Sequence, residues 1–266
     1  MLSISRRDVV RRILVTVAGV FCVLGTLVGF GVVGKPIQQT AGGALSSDAT
    51  LMAPAGPAFA IWSLIYLGLA GYVGWQWVAP GATRSRARRL GYLAAVSMVL
   101  NAGWVLVAQA GWLWLSVVVI VALLVVLVVI LQRLAAQPAG SAMERLVVDG
   151  TFGCYLGWVS IATCANVTTA LVAQGLTLGP TASTLAAVVL ILAAGAVAVL
   201  LAWRFGGRWA VAAAMAWGLG WIGVGRLAAQ PSSPATGVVA VAAAWSRCCR
   251  RPRSGCAAAS SLADLG

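Results

Sequence analysis

Tryptophan, tyrosine and asparagine at helical spacing are the residues of this chain best placed to do chemistry, and what they offer is binding rather than bond-making. Trp62 and Tyr66 stand four apart and Asn101 and Trp104 three apart, so each pair shares one face of a helix. Tyr155, Trp158, Ala162 and Asn166 follow at intervals of three, four and four, which makes one continuous stripe. Turned inward, the three stripes would line an aromatic pocket with a few amide contacts, a lining suited to a large, planar, mostly apolar ligand. Each asparagine also has a plainer use, a hydrogen bond between neighbouring helices, and spacing alone does not choose between the two.

The parts of conventional catalysis are missing. The chain has no His, and its five acids are Asp8, Asp48, Glu144, Asp149 and Asp264, none of them deep in an apolar run. Proton relays and ion-coupled pumps place acids or His within the membrane, so proton coupling is disfavoured. Ser160, Cys154 and Cys164 have no His to activate them as nucleophiles. No group of Cys and carboxylates has metal-ligand spacing, a haem would find no axial His, and no phosphate-binding Gly-rich loop occurs. The expectation is therefore a protein that is not an enzyme and has no resident metal or cofactor.

The elements that must hold these stripes are set by composition. Hydrophobic residues make up 61% of the 266 positions and charged residues 9%, against roughly 25% charged in a soluble domain. Apolar runs long enough to cross about 30 Å of hydrocarbon recur at 13–33, 57–79, 90–110, 112–134, 148–172, 181–204 and 208–226. A shorter apolar run at 233–246 opens with two prolines, Pro231 and Pro234. The ten-residue alternation of a closed barrel is absent. The fold class is all-α, a polytopic transmembrane helical bundle.

The first run is longer than the apolar core of a secretory signal and reads as an uncleaved anchor. A net charge of +13 invites a nucleic-acid reading, but the cations sit in the links between spans. With eight spans, sixteen of the eighteen Lys and Arg residues share the side of the N-terminus, and two, Lys35 and Arg226, lie on the other; with seven, the four tail arginines change sides and the count is 12 to 6, so the charges favour a return crossing. That bias predicts a cytoplasmic N-terminus and membrane lipids rather than nucleic acid as the partner. Arginine bias with Ala and Val richness points to a bacterial inner membrane.

The organisation that follows is a basic N-terminus at 1–12, a membrane core at 13–172, further transmembrane helices at 173–246, and a basic, disordered tail at 247–266. In that tail Cys248 and Cys249 offer acylation sites beside Arg247, Arg250 and Arg251. The connector from Gly34 to Gly56 is long enough to be either a binding lid or a tether. Cys22, Cys154 and Cys164 read as small packing residues. Trp77, Trp112, Trp114 and Trp209 fall near span ends, as interfacial anchors do. GxxxG pairs at Gly25/Gly29 and Gly153/Gly157 predict close helix packing and are compatible with a homodimer.

Three motifs carry a resemblance. AIWSLIYLGLAGYVGW, Ala60 to Trp75, resembles the second helix of the tryptophan-rich sensory and translocator proteins, also known as peripheral benzodiazepine receptor homologues. LNAGW, Leu100 to Trp104, resembles their third-helix Leu-Asn-x-x-Trp, and YLGWVSIATCAN, Tyr155 to Asn166, is similar to their fifth-helix signature. The resemblance, which covers about residues 10–172, implies a five-helix bundle, often dimeric; the two or three further apolar runs from 181 onward have no counterpart in the five-helix members and suggest an extended bacterial-type branch. It also implies a pocket beneath the loop joining the first two helices, taking porphyrins, sterols or related hydrophobic molecules. Trp62, Tyr66, Asn101, Trp104, Trp158, Ala162 and Asn166 match motif positions at or near that pocket. The chain departs from common members at Gly56, Phe59 and Ile161, and VTTALVAQ after Asn166 lacks the Tyr and Arg of the proposed sterol motif. For tetrapyrroles, light-dependent breakdown is the enzymatic alternative; a regulatory partner role, docking through the helices after 181, is the other.

Overall fold

Val, Ile and Leu fill the segment LWLSVVVIVALLVVLVVILQRLA, whose β-branched residues are indifferent helix formers in water. In hydrocarbon every backbone N–H and C=O must find a partner within its own segment, and that requirement overrides propensity. In the computed structural model this segment is an unbroken helix, and the pattern repeats along the chain. The structure describes residues 5–29, 31, 39, 41–78, 85–176, 178–204, 209–229 and 231–248.

Among these residues eight helices occur: α1 Arg6–Gly29, α2 Ile61–Val78, α3 Ser85–Gln109, α4 Leu113–Ala135, α5 Ala142–Ala173, α6 Pro180–Arg204, α7 Trp209–Ala228 and α8 Pro234–Cys248. Seven of them, α1 to α7, are long and apolar enough to cross a membrane. At 15 residues α8 rises only about 22 Å, short of a full hydrocarbon crossing. Many large apolar side chains face outward, among them Leu67, Val78, Val118 and Leu185, each more than 60% exposed. Water would penalise that surface and lipid does not. Trp77, Trp112, Trp114 and Trp209 are also exposed.

Three helices, α1, α3 and α5, start five or more residues earlier than the apolar runs, α3 at Ser85 instead of 90. α1 begins at Arg6, so most of the basic N-terminal segment is helical. Ser5 and Asp8 cap it reciprocally: the Asp8 N–H donates to Ser5 Oγ and the Ser5 N–H to Asp8 Oδ2. Asp8 also pairs with Arg11 and Arg88, which removes the charge penalty that hydropathy would assign to this turn. α5 begins at Ala142 instead of 148, opened by Ser141 accepting from the Glu144 N–H. Its Arg145–Gly150 segment is wound as π-helix before ordinary helix resumes at Thr151. Glu144 and Asp149 both bind Arg86 of α3, at 2.8 and 2.7 Å.

α1 packs on α3, α3 on α4, and α4 on α5, while α2 touches both α1 and α5 and closes a five-helix ring. A Cβ at Gly25 would come within 3.0 Å of the Ala102 backbone, so bare glycine is what lets α1 and α3 approach. α7 packs on the outside of α5, where Gly153 and Gly157 receive Ala210, Val211 and Ala214. The span-five GxxxG is thus covered within the chain. α8 rests on α7, and α6 is the most peripheral helix, touching mainly α8 and α7. Gly111, with φ 77°, permits the tight reversal between α3 and α4, and Gly175, with φ 85°, ends α5. Lys35, Arg84, Arg208 and the tail from 249 onward lie outside the described residues, as does part of the 34–56 connector.

Candidate functional site

All eight residues singled out by spacing meet inside the five-helix ring. The Trp62 and Tyr66 rings are stacked 5.4 Å apart, and Trp62 meets Tyr155 and Trp158 edge-on, each at 6.2 Å. Phe59, at the end of the Gly56–Ala60 turn that leads into α2, adds a fifth ring edge-on to Trp158 at 5.8 Å. Edge-to-face arrays of this kind hold rings rigidly, because each positive rim meets a negative face.

The amides do structural work on one side and less on the other. Trp104 Nε1 donates to Asn166 Oδ1 at 2.7 Å, and Asn166 Nδ2 donates to Ser116 Oγ at 2.9 Å. Asn166 therefore ties α3, α4 and α5 together. Tyr66 OH donates to Asn101 Oδ1 at 3.5 Å, a long bond, and Tyr155 OH donates to the Ser97 carbonyl at 3.2 Å. Among the residues of this cluster two buried donors have no acceptor, the indole N–H of Trp158 and Nδ2 of Asn101. Both residues are only 1% exposed, so each orphan N–H represents a polar group kept dry without a protein partner. Ser97 and Ser116 had no signal in the sequence beyond being single polar residues in apolar surroundings, and Phe59 showed only as a departure from the family motif.

A connector covers this cluster. Leu45, Ser46, Ala53, Pro54 and Phe59 from above, with Trp104, Trp158, Ala162, Ala165, Asn166 and Thr169 below, enclose a cavity of about 50 Å³. That is room for a water or so. The connector is anchored from outside the ring, by α7. Arg226 Nη1 donates to the Thr50 carbonyl at 3.0 Å and Nη2 to the Ser47 carbonyl at 2.9 Å. Trp217 Nε1 donates to the Ala58 carbonyl at 2.9 Å, and the Ala55 N–H donates to the Trp221 carbonyl at 3.2 Å. The Ser46 hydroxyl donates to Asp48, and this bond, with Arg226 nearby, holds the exposed Asp48 carboxyl below its usual range. Sequence spacing did not find Arg226 as a site residue; its only signal was its place on the cation-poor side.

A larger hollow lies elsewhere. About 740 Å³ of apolar groove separates α2 from α5 and α7, along Ile61, Leu64, Gly68, Gly71, Leu146, Thr151, Ala213 and Trp217. None of the eight residues lines it. The remaining acids among the described residues are engaged at the opposite end of the bundle, Glu144 and Asp149 with Arg86, and Asp8 with Arg88. Among the described residues no group of three His, Cys, Asp or Glu could hold a metal.

A family model described as TSPO-like protein matches residues 13–247, which takes in the ring, the connector and α6 to α8. No curated protein and no solved structure matches the chain.

Proposed function

The chain belongs to the TSPO-like protein family and is an integral membrane protein, and from that premise we propose that it binds a porphyrin-like, planar hydrophobic molecule at the aromatic cluster, without catalysing a reaction. The observation that carries this reading is the pairing of a five-ring aromatic array with two dry, unpaired N–H donors beneath a connector. Flat rings stack on such walls, and a heteroatom edge would satisfy Trp158 and Asn101. At about 50 Å³ the present cavity is far below the roughly 300–1,000 Å³ of ligand sites, so binding entails displacement of the 45–59 connector. The ring, the connector and the cation bias fit a protein with its N-terminus in the cytoplasm and the connector on the far side, receiving or passing on its ligand there.

The test is an equilibrium titration of the detergent-purified protein with protoporphyrin IX, followed by its visible absorbance. We expect saturable binding in the wild type and an affinity at least tenfold weaker in the Trp104→Ala/Trp158→Ala variant, since losing ring contacts and a hydrogen bond costs on the order of 1.4 kcal/mol or more. Unchanged affinity would remove the assignment.

A second reading is favoured by the size of the groove between α2, α5 and α7, whose volume alone suits a large apolar ligand. Gly71 lines it, and a Cβ there meets nothing closer than Val147 at 3.8 Å, so Gly71→Phe fills the groove with little disturbance of the packing. Loss of porphyrin binding in that variant, with Trp158→Ala silent, would move the site to the groove.

A further inference from the structure

Arg226 is 1% exposed, in the last turn of a membrane helix, and no carboxylate is paired with it. Its guanidinium instead meets two neutral carbonyls, those of Ser47 and Thr50, and its Nε–H is buried with no acceptor. A cation held dry by neutral dipoles keeps most of its desolvation penalty, and an anion offering two oxygens in the plane of the fork would relieve it.

The position of this group matters as much as its state. Ser47 follows Ser46, a wall of the aromatic cavity, and a Cβ at the neighbouring Gly225 would come within 3.6 Å of Ala55 and 3.9 Å of the Ala53 carbonyl. Arg226 therefore stands directly behind the connector that closes the cluster. Asp48, on the same connector, is exposed and bonded to Ser46; its charge acts on Arg226 from a distance and does not occupy the fork.

We propose that Arg226 is the specificity residue for the ligand's acidic edge: the site takes a planar apolar molecule that carries a carboxylate, and the carboxylate replaces the connector carbonyls on the Arg226 fork. The proposal rests on the ligand site assigned above. Binding and opening of the connector are then one exchange, because the ligand's anion takes the donors that hold the connector down.

The experiment compares protoporphyrin IX, a dicarboxylic acid, with its dimethyl ester, which has the same ring and no charge. In the wild type the acid should bind at least tenfold more tightly than the ester, the factor expected of hydrogen bonds to a charged group. In Arg226→Gln the preference for the acid over the ester should vanish, the ratio of the two affinities falling to about one whatever shift a loosened connector gives to both, and continued saturable binding of the ester shows that the variant is folded. Arg226→Lys should retain part of the preference, since it keeps the charge and loses the fork. Equal binding of acid and ester by the wild type would overturn the inference and leave the aromatic site standing. An equal fall of both ligands in Arg226→Gln would assign Arg226 to holding the connector only. Binding of neither ligand by the wild type would overturn the site and this inference together.

Discussion

Arg86 donates to three acceptors, the carboxylates of Glu144 and Asp149 and the Gln137 carbonyl, and all three charged groups are buried. Removing one member of such a set strands the others, which typically costs 3–5 kcal/mol, a larger effect than forming the set contributes. Arg86→Ala should therefore lower the midpoint of thermal unfolding in detergent by about ten degrees or more, and leave porphyrin affinity nearly unchanged because the cluster lies toward the other end. A midpoint within two degrees of wild type would show that this end of the bundle is not held by charge. At this scale the sequence was informative about aromatics and amides and poor about their partners. Trp62, Tyr66, Asn101, Trp104, Tyr155, Trp158, Ala162 and Asn166 share helix faces by spacing, and they do meet in space. Ser116 and Ser97 complete the network from apolar runs where nothing distinguishes them, and Arg226 shows only as an exception in a count of cations.

Helices in lipid gain little from burying apolar surface, so their association depends on how closely backbones approach. α5 and α7 meet at Gly157, where an added Cβ would clash with the Val211 carbonyl and come within 2.9 Å of Ala214. Gly157→Leu should wedge α7 away and cost on the order of 1–3 kcal/mol, whereas Gly103→Leu, at a position with nothing within 4 Å, should be close to neutral. Comparison of the two by thermal unfolding decides the point, and equal midpoints would contradict the packing described. Because α7 also holds the connector, Gly157→Leu should shift ligand affinity while Gly103→Leu should not. Hydropathy located all seven long spans to within several residues but placed the starts of α1, α3 and α5 too late. All three begin in charged turns whose cost is cancelled by partners distant in sequence, Asp8 with Arg88 and Glu144 with Arg86, and no local window contains that information.

The whole molecule is a five-helix ring with a cap, and the cap is fastened by a sixth participant from outside the ring. The connector over the aromatic cluster bonds to α7 at four places, from Ser47 to Ala58. Of the helices after residue 180, which the sequence offered only as a docking surface for a partner, α7 thereby reaches the same cluster as the ring. Two hollows compete for an apolar ligand: the closed cluster of about 50 Å³ and the groove of about 740 Å³. They share no lining residue, so the place where a ligand is captured separates them. A photoactivatable diazirine derivative of protoporphyrin IX, bound to the full chain in detergent and irradiated, would mark its surroundings for identification by peptide mass spectrometry. Labels within 45–62 and 155–166, competed away by unmodified porphyrin, are the predicted result; competed labels confined to 64–71 and 210–217, or no competed label at all, would contradict the assignment of the aromatic cluster as the ligand site.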